Sequence, residues 1–142
     1  MAHALAWADR APAHGDVPVG CVVVVDGAIV GEGENRREVD RDPTAHAEIV
    51  ALRDAARRLG RWRLDDATVY VTLEPCAMCA GALLSARVGR LVIGALDEKA
   101  GAVGSRYNLL SDPRLLHEVP VDYGVGEDGA AARLRAFFEE RR

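Results

Sequence analysis

The chain has 142 residues, 49% of them hydrophobic and 28% charged, with a net charge of −4. That length buries a core without disulfides and fits one domain over residues 1–142, while no apolar run approaches the roughly 20 residues of a membrane span. The acidic balance excludes a global positive field of the kind that binds nucleic acid nonspecifically, so any RNA contact has to be local. Residues 1–10, with Trp7 and Asp9 among alanines, lack the basic start and apolar stretch of a secretory signal, and a soluble cytoplasmic protein is the expectation.

In chain order, residues 2–13 read as a helix anchored by Leu5 and Trp7 and ended by Gly15 and Pro18. Residues 19–25 are a β-branched run, Asp26-Gly27 is a hairpin signal, and residues 28–33 return as the antiparallel partner. After a polar loop, Asp42 is expected to N-cap a second helix that Pro43 opens and Gly60 stops. Residues 68–72 alternate as a strand, Pro75 opens a third helix to about Ala86, and residues 91–94 form another strand. Such a unit favours a right-handed parallel crossover, so the sheet should be mixed and flanked by helices in an α/β fold. Residues 97–112 read as a long loop with one helical turn, and residues 115–123 as a fifth strand. A final helix over residues 130–142 should turn Leu134 and either Phe137 or Phe138 inward.

Cys76 and Cys79 lie three apart on the predicted third helix, which puts both sulfurs on one face. Alone, that spacing also fits half of a four-cysteine zinc site or a redox pair, but no second pair exists, and Cys21 inside a strand reads as core. His46 supplies a third donor and Glu48 a carboxylate. On a regular helix these two positions point roughly 200° apart, so both serve one ion only if it sits near the axis just beyond the helix start. There the amino-terminal ends of the second and third helices would both face the ion, favouring thiolates and a bound hydroxide. One His and two Cys leave zinc a fourth position for water, the mark of a catalytic site, and Glu48 is placed to take the proton of that water. Taken singly, His46 and Glu48 are ordinary helical polar residues; the joint pattern carries the reading.

The HxE of His46 and Glu48 followed by the PCxxC of residues 75–79 resembles the signature of the cytidine and deoxycytidylate deaminase superfamily. Over nearly the whole chain, the runs DVPVG (16–20), GEGENR (31–36), DPTAHAE (42–48), VTLEPCAMCAG (71–81) and GAVGS (101–105) resemble the bacterial tRNA-specific adenosine deaminases. The resemblance implies a three-layer cytidine-deaminase-like fold with a mixed five-stranded sheet, and one zinc per subunit on His46, Cys76 and Cys79. It further implies Glu48 as the proton shuttle that converts adenosine to inosine at the anticodon wobble position. Asn35 would hydrogen-bond the flipped base, Val17 would wall its pocket, and Asp97 would approach the sugar. The backbone amide beside Cys76 would polarise the substrate or stabilise the tetrahedral intermediate, and Arg36, Arg37 and Arg106 would meet RNA. A homodimer is implied as well, with residues 80–95 as an apolar surface for it. The target atom must come from a single-stranded loop or be flipped out, and an anticodon loop already presents splayed bases. The departures are a first helix that begins almost at Met1 and a carboxyl terminus at Arg142, where many members carry further residues; their expected consequence falls on RNA affinity rather than on chemistry. Two other readings stay open: a zinc deaminase of free guanine, cytosine or cytidine, and a noncatalytic zinc-containing RNA-binding subunit. Against the second stands Glu48, a carboxylate that a scaffold does not require.

Overall fold

Asp26 and Gly27 take positive φ angles of 50° and 75°, the backbone of the tight turn that an Asp-Gly pair favours. It joins strand β1 (Gly20–Val25) to β2 (Ala28–Glu34) in antiparallel register, from Val25↔Ala28 at the turn to Gly20↔Glu34, with a bulge between Val23 and Val24. The computed structural model describes residues 1–115 and 117–142. Helix α1 (Ala2–Ala8) precedes the hairpin; α2 (Ala47–Leu59), β3 (Thr68–Leu73), α3 (Ala77–Ser85), β4 (Arg90–Ala95), β5 (Val121–Asp122) and α4 (Glu127–Glu139) follow it. The five strands lie in the order β2-β1-β3-β4-β5. β1 is antiparallel to both β2 and β3, whereas β3–β4 and β4–β5 are parallel, which makes the mixed sheet that the strand-helix-strand order predicts.

Alternation decides which residues meet which helix. Cys21, Val23, Val69, Val71, Leu91 and Ile93 are fully buried with Ala51 and Ala55 of α2 and Ala80 and Leu83 of α3 in one core cluster. Burying each large aliphatic side chain there contributes about 1.5–3 kcal/mol. Helices α1 and α4 pack on strands of the same sheet and on each other, Leu5 lying against Gly129 and Arg133 pairing with Asp9 at 2.6 Å. The result is a three-layer α/β architecture. No helix among the described residues is long and apolar enough to cross a membrane.

Several boundaries differ from expectation, each for a local reason. The first helix stops at Ala8 and gives way to a 3-10 turn, Ala11–His14, because Pro12 has no N–H with which to continue an α-helix. The second helix begins at Ala47 rather than Pro43: Asp42 caps a turn instead, its Oδ1 accepting from the Thr44 N–H at 2.8 Å and the Thr44 hydroxyl at 2.7 Å. The third begins at Ala77, two residues beyond Pro75. The fifth strand shrinks to Val121–Asp122, since Pro120 cannot donate to a ladder and the Val119 N–H is already bonded to the Leu110 carbonyl at 2.9 Å; of the segment expected there, Leu116 lies outside the described residues. The last helix starts earlier, with Glu127 and Asp128 in its first turn, where negative charge is favoured. It buries Phe137, leaving Phe138 52% exposed. Within residues 80–95, Ala80, Leu83, Leu84 and the run from Leu91 to Ala95 are buried within the chain's own fold, which leaves Gly81 and Ala82 of α3, with Ala86 just beyond it, as the half-buried apolar part of that helical segment.

Candidate active site

β3 and β4 end side by side, and the chain leaves both at the same edge, the place where parallel strands open a crevice. From β3 it passes through Glu74 and Pro75 to Cys76, which is extended (φ −72°, ψ 176°) and N-caps α3, so that Cys79 falls in the first turn. His46 does the same for α2, with φ −71° and ψ 155°, and Glu48 follows in the first turn. The late start of α2 thereby removes the 200° conflict between positions 46 and 48: His46 is outside the regular helix, and both side chains converge at its end. Asn35 fixes that start. Its Oδ1 accepts from the Ala47 N–H at 3.0 Å, satisfying an amide at the helix start, and its Nδ2 donates to the Val17 carbonyl at 3.1 Å.

His46 Nδ1 lies 3.6 Å from Cys76 Sγ and 3.5 Å from Cys79 Sγ, and the three donor atoms are all within 4.8 Å of one another. A tetrahedral ion with Zn–S of about 2.3 Å and Zn–N of about 2.0–2.1 Å sets its nitrogen and sulfur ligands about 3.5 Å apart, so donor type and spacing both fit zinc. The electrostatics agree. Hydrogen bonding between the two sulfurs is the largest influence on both, pulling Cys76 down to about 3 while Cys79 is pushed far above the thiol range. Two sulfurs that share one proton are a pair that a divalent cation at their centre converts to two thiolates. His46 is raised from its ordinary value, chiefly by its hydrogen bond to Cys76. Glu48, 4% exposed, is raised to about 7, chiefly by burial.

His46, Cys76 and Glu48 open onto a cavity of 690 Å³ lined also by Val17, Val19, Asn35, Leu73 and Asp97, among others. Arg37, Leu96, Glu98, Lys99, Ala100, Glu127 and Phe138 are the exposed members of its lining. Of the three arginines expected to meet RNA, only Arg37 lines it. Arg36 is held by Glu34 at 3.1 Å and Asp40 at 2.9 Å, and Arg106 donates to the Glu98 carbonyl at 2.8 Å. Asp97 is at the cavity, and its Oδ1 accepts from the Lys99 and Ala100 amides at 3.0 and 3.2 Å. Sequence reasoning assigned no part in the site to Leu96 or Glu74, and it offered Phe138 only as an alternative to Phe137 for the inward face of the last helix. For Glu74 a signal existed: a carboxylate between an apolar strand and Pro75, where full burial is rare without partners.

A family model described as the cytidine and deoxycytidylate deaminase zinc-binding region matches residues 1–95. Over 143 aligned residues the chain is 50% identical to the tRNA-specific adenosine deaminase of Haemophilus influenzae, covering 100% of this chain and 83% of that one. A solved structure from a study of A-to-I editing by tRNA:A34 deaminases at the wobble position of transfer RNA matches with a TM-score of 0.90 and 43% identity, over 94% of this chain and 100% of that one. The guanine deaminase of Nitrosomonas europaea matches with a TM-score of 0.84 and 27% identity, over 96% and 81%.

Proposed function

This chain belongs to the tRNA-specific adenosine deaminases, within the cytidine and deoxycytidylate deaminase family, and we propose that it hydrolyses adenosine to inosine at the wobble position of a tRNA anticodon. The observation that carries the reading is a buried Glu48 beside three converging metal donors, two of which, His46 and Cys76, line the cavity with it. His46, Cys76 and Cys79 would hold zinc, which would supply Lewis acidity and lower the pKa of a bound water to about 7. Glu48 takes a proton from the attacking water as its oxygen bonds to C6 of the base, and hands that proton to the adjacent ring nitrogen. It then carries the remaining hydroxyl proton to the amine; the bond from C6 to nitrogen breaks, and ammonia leaves. Burial raises Glu48 above the ordinary carboxylate range, which favours a carboxyl that both accepts and returns a proton near neutral pH.

Seating the base falls to the cavity walls. Asn35 keeps one N–H and one lone pair beyond its bonds to Val17 and Ala47, enough to read a base edge. Val17, Leu73 and Ala95 offer apolar contact to the ring, and Asp97 has acceptor capacity left for the sugar. Arg37 and Lys99 supply phosphate contacts. For a homodimer, the supporting surface is the apolar groove along α2 and α3 lined by Ile49, Ala56, Trp62 and Ala82, where Trp62 is 62% exposed. The substrate sets the compartment as the cytoplasm.

The likeness to a guanine deaminase favours a second reading, a free purine as substrate. Incubating zinc-loaded protein with an anticodon stem-loop bearing a wobble adenosine, and separately with adenosine, guanine and cytidine, distinguishes them through inosine and ammonia. Inosine from the stem-loop alone is expected; ammonia only from a free base or nucleoside overturns the substrate.

A further inference from the structure

Glu74 is 2% exposed, and nothing in the chemistry above uses it. Its N–H extends the parallel ladder to the Ala95 carbonyl at 2.8 Å, and its carboxylate engages the segment that follows β4. Four donors converge on that carboxylate. Oε1 accepts from the Asp97 N–H at 3.2 Å and from the Ser105 hydroxyl; Oε2 accepts from the N–H groups of Val103 and Ser105, both at 3.1 Å. All four donors are neutral and three are backbone, so the side chain serves the loop as its internal scaffold. Two further links hold the loop to the zinc-ligand turn: the Ala102 N–H donates to the Pro75 carbonyl at 2.8 Å, and Cys76 forms an isolated antiparallel bridge with Gly101. Gly101 makes the approach feasible, because a Cβ there would lie 2.2 Å from Glu74 Oε2. The same segment contributes Leu96, Asp97 and Lys99 to the cavity.

We propose that Glu74 is a positioning residue: by gathering the amides of Asp97, Val103 and Ser105 it sets the cavity wall in register with Cys76, two residues away, and so determines how the substrate is seated. Its kinetic arm rests on the tRNA deaminase reading. The structural arm does not.

The test uses the zinc-loaded protein in four forms: wild type, Glu74→Gln, Ser105→Ala and Gly101→Ala. Glutamine keeps the size but replaces one acceptor oxygen with a second set of donors, leaving buried amides of the loop without a partner. Amides 97–105 of Glu74→Gln should exchange with solvent about ten- to a hundredfold faster, with β3 and β4 unchanged. On the stem-loop, KM should rise about tenfold while kcat stays within about threefold and zinc content holds. Gly101→Ala should behave like Glu74→Gln although the carboxylate is still present, and Ser105→Ala should shift both readouts in the same direction by less. Unchanged exchange in the loop overturns the proposal, as does a fall in melting temperature with KM unaltered, or a loss confined to kcat. Should Glu74→Gln fail to fold, exchange in Ser105→Ala decides by the same criterion. A wild-type protein inactive on the stem-loop sinks the functional reading alone, since the exchange measurement still decides the role of Glu74.

Discussion

The floor and the rim of the cavity are held in different ways. On the floor, His46 and Cys76 each occupy the capping position of a helix, with Glu48 and Cys79 in the first turns, so four chemical groups are fixed by two helix starts packed on the sheet. On the rim, residues 96–105 have no regular ladder of their own; they are gathered by one side chain, Glu74, and by the short turn that Asp97 caps. Chemistry is thus attached to the rigid layers and substrate seating to a loop, and the two meet at residues 74–76.

Substitutions on the two sides should therefore fail differently. The largest effect is expected at Glu48: Glu48→Gln should lower kcat by about 10²–10⁴-fold or more while one zinc per chain is retained by metal analysis. Full activity with zinc bound would remove the proton-shuttle role, whereas a zinc-loaded wild type without turnover on any substrate would revive a noncatalytic subunit. Next comes Asn35→Ala, on the boundary between floor and rim. It deprives the Ala47 N–H and the Val17 carbonyl of their partner, so thermal unfolding should report a loss of about 1–3 kcal/mol alongside a raised KM. A raised KM with unaltered stability would show that the bridge contributes nothing to the fold.

Rim charges should matter less. Arg37→Ala is expected to raise KM for the stem-loop about threefold and to reduce the salt slope of binding by roughly one. Arg36→Ala, whose guanidinium is already paired with Glu34 and Asp40, should leave that slope unchanged. Equal slopes for the two variants would break the distinction.

A pH effect is confined to the metal-free protein. Burial raises Glu48 from 4.5 to about 7, so between those values the folded chain holds a proton that the unfolded chain has released. Stability from this group is complete below 4.5 and is lost as pH rises through about 7. Relative to Glu48→Gln, neutral throughout, metal-free wild type should lose melting temperature between about pH 5 and 8; a constant difference would contradict the burial argument.

What the sequence made legible follows the same division. The Asp-Gly hairpin, the crossover between β3 and β4, and the three metal donors with Glu48 could be read because their signals are local: a turn pair, an apolar period, a spacing of two or three. The start of α2 was misread for a physical reason. Its first amide is capped by Asn35, twelve positions earlier, while Asp42, the residue with cap chemistry, is used in a turn with Thr44. Glu74 was overlooked because its partners lie 23 to 31 residues downstream, and no periodicity announces them. Phe137 and Phe138 are adjacent aromatics on one helix, and only packing decides which is inside.

The two-residue β5 and the bulge beside β2 bear on self-association. A sheet recruits a foreign strand through unpaired ladder groups along a long, flat edge. Here one edge is too short to template a partner, and on the other the Glu32 N–H is capped by Asp54 Oδ2 of α2 at 3.1 Å. The short β5 and the capped Glu32 amide both work against strand addition at the margins of the sheet.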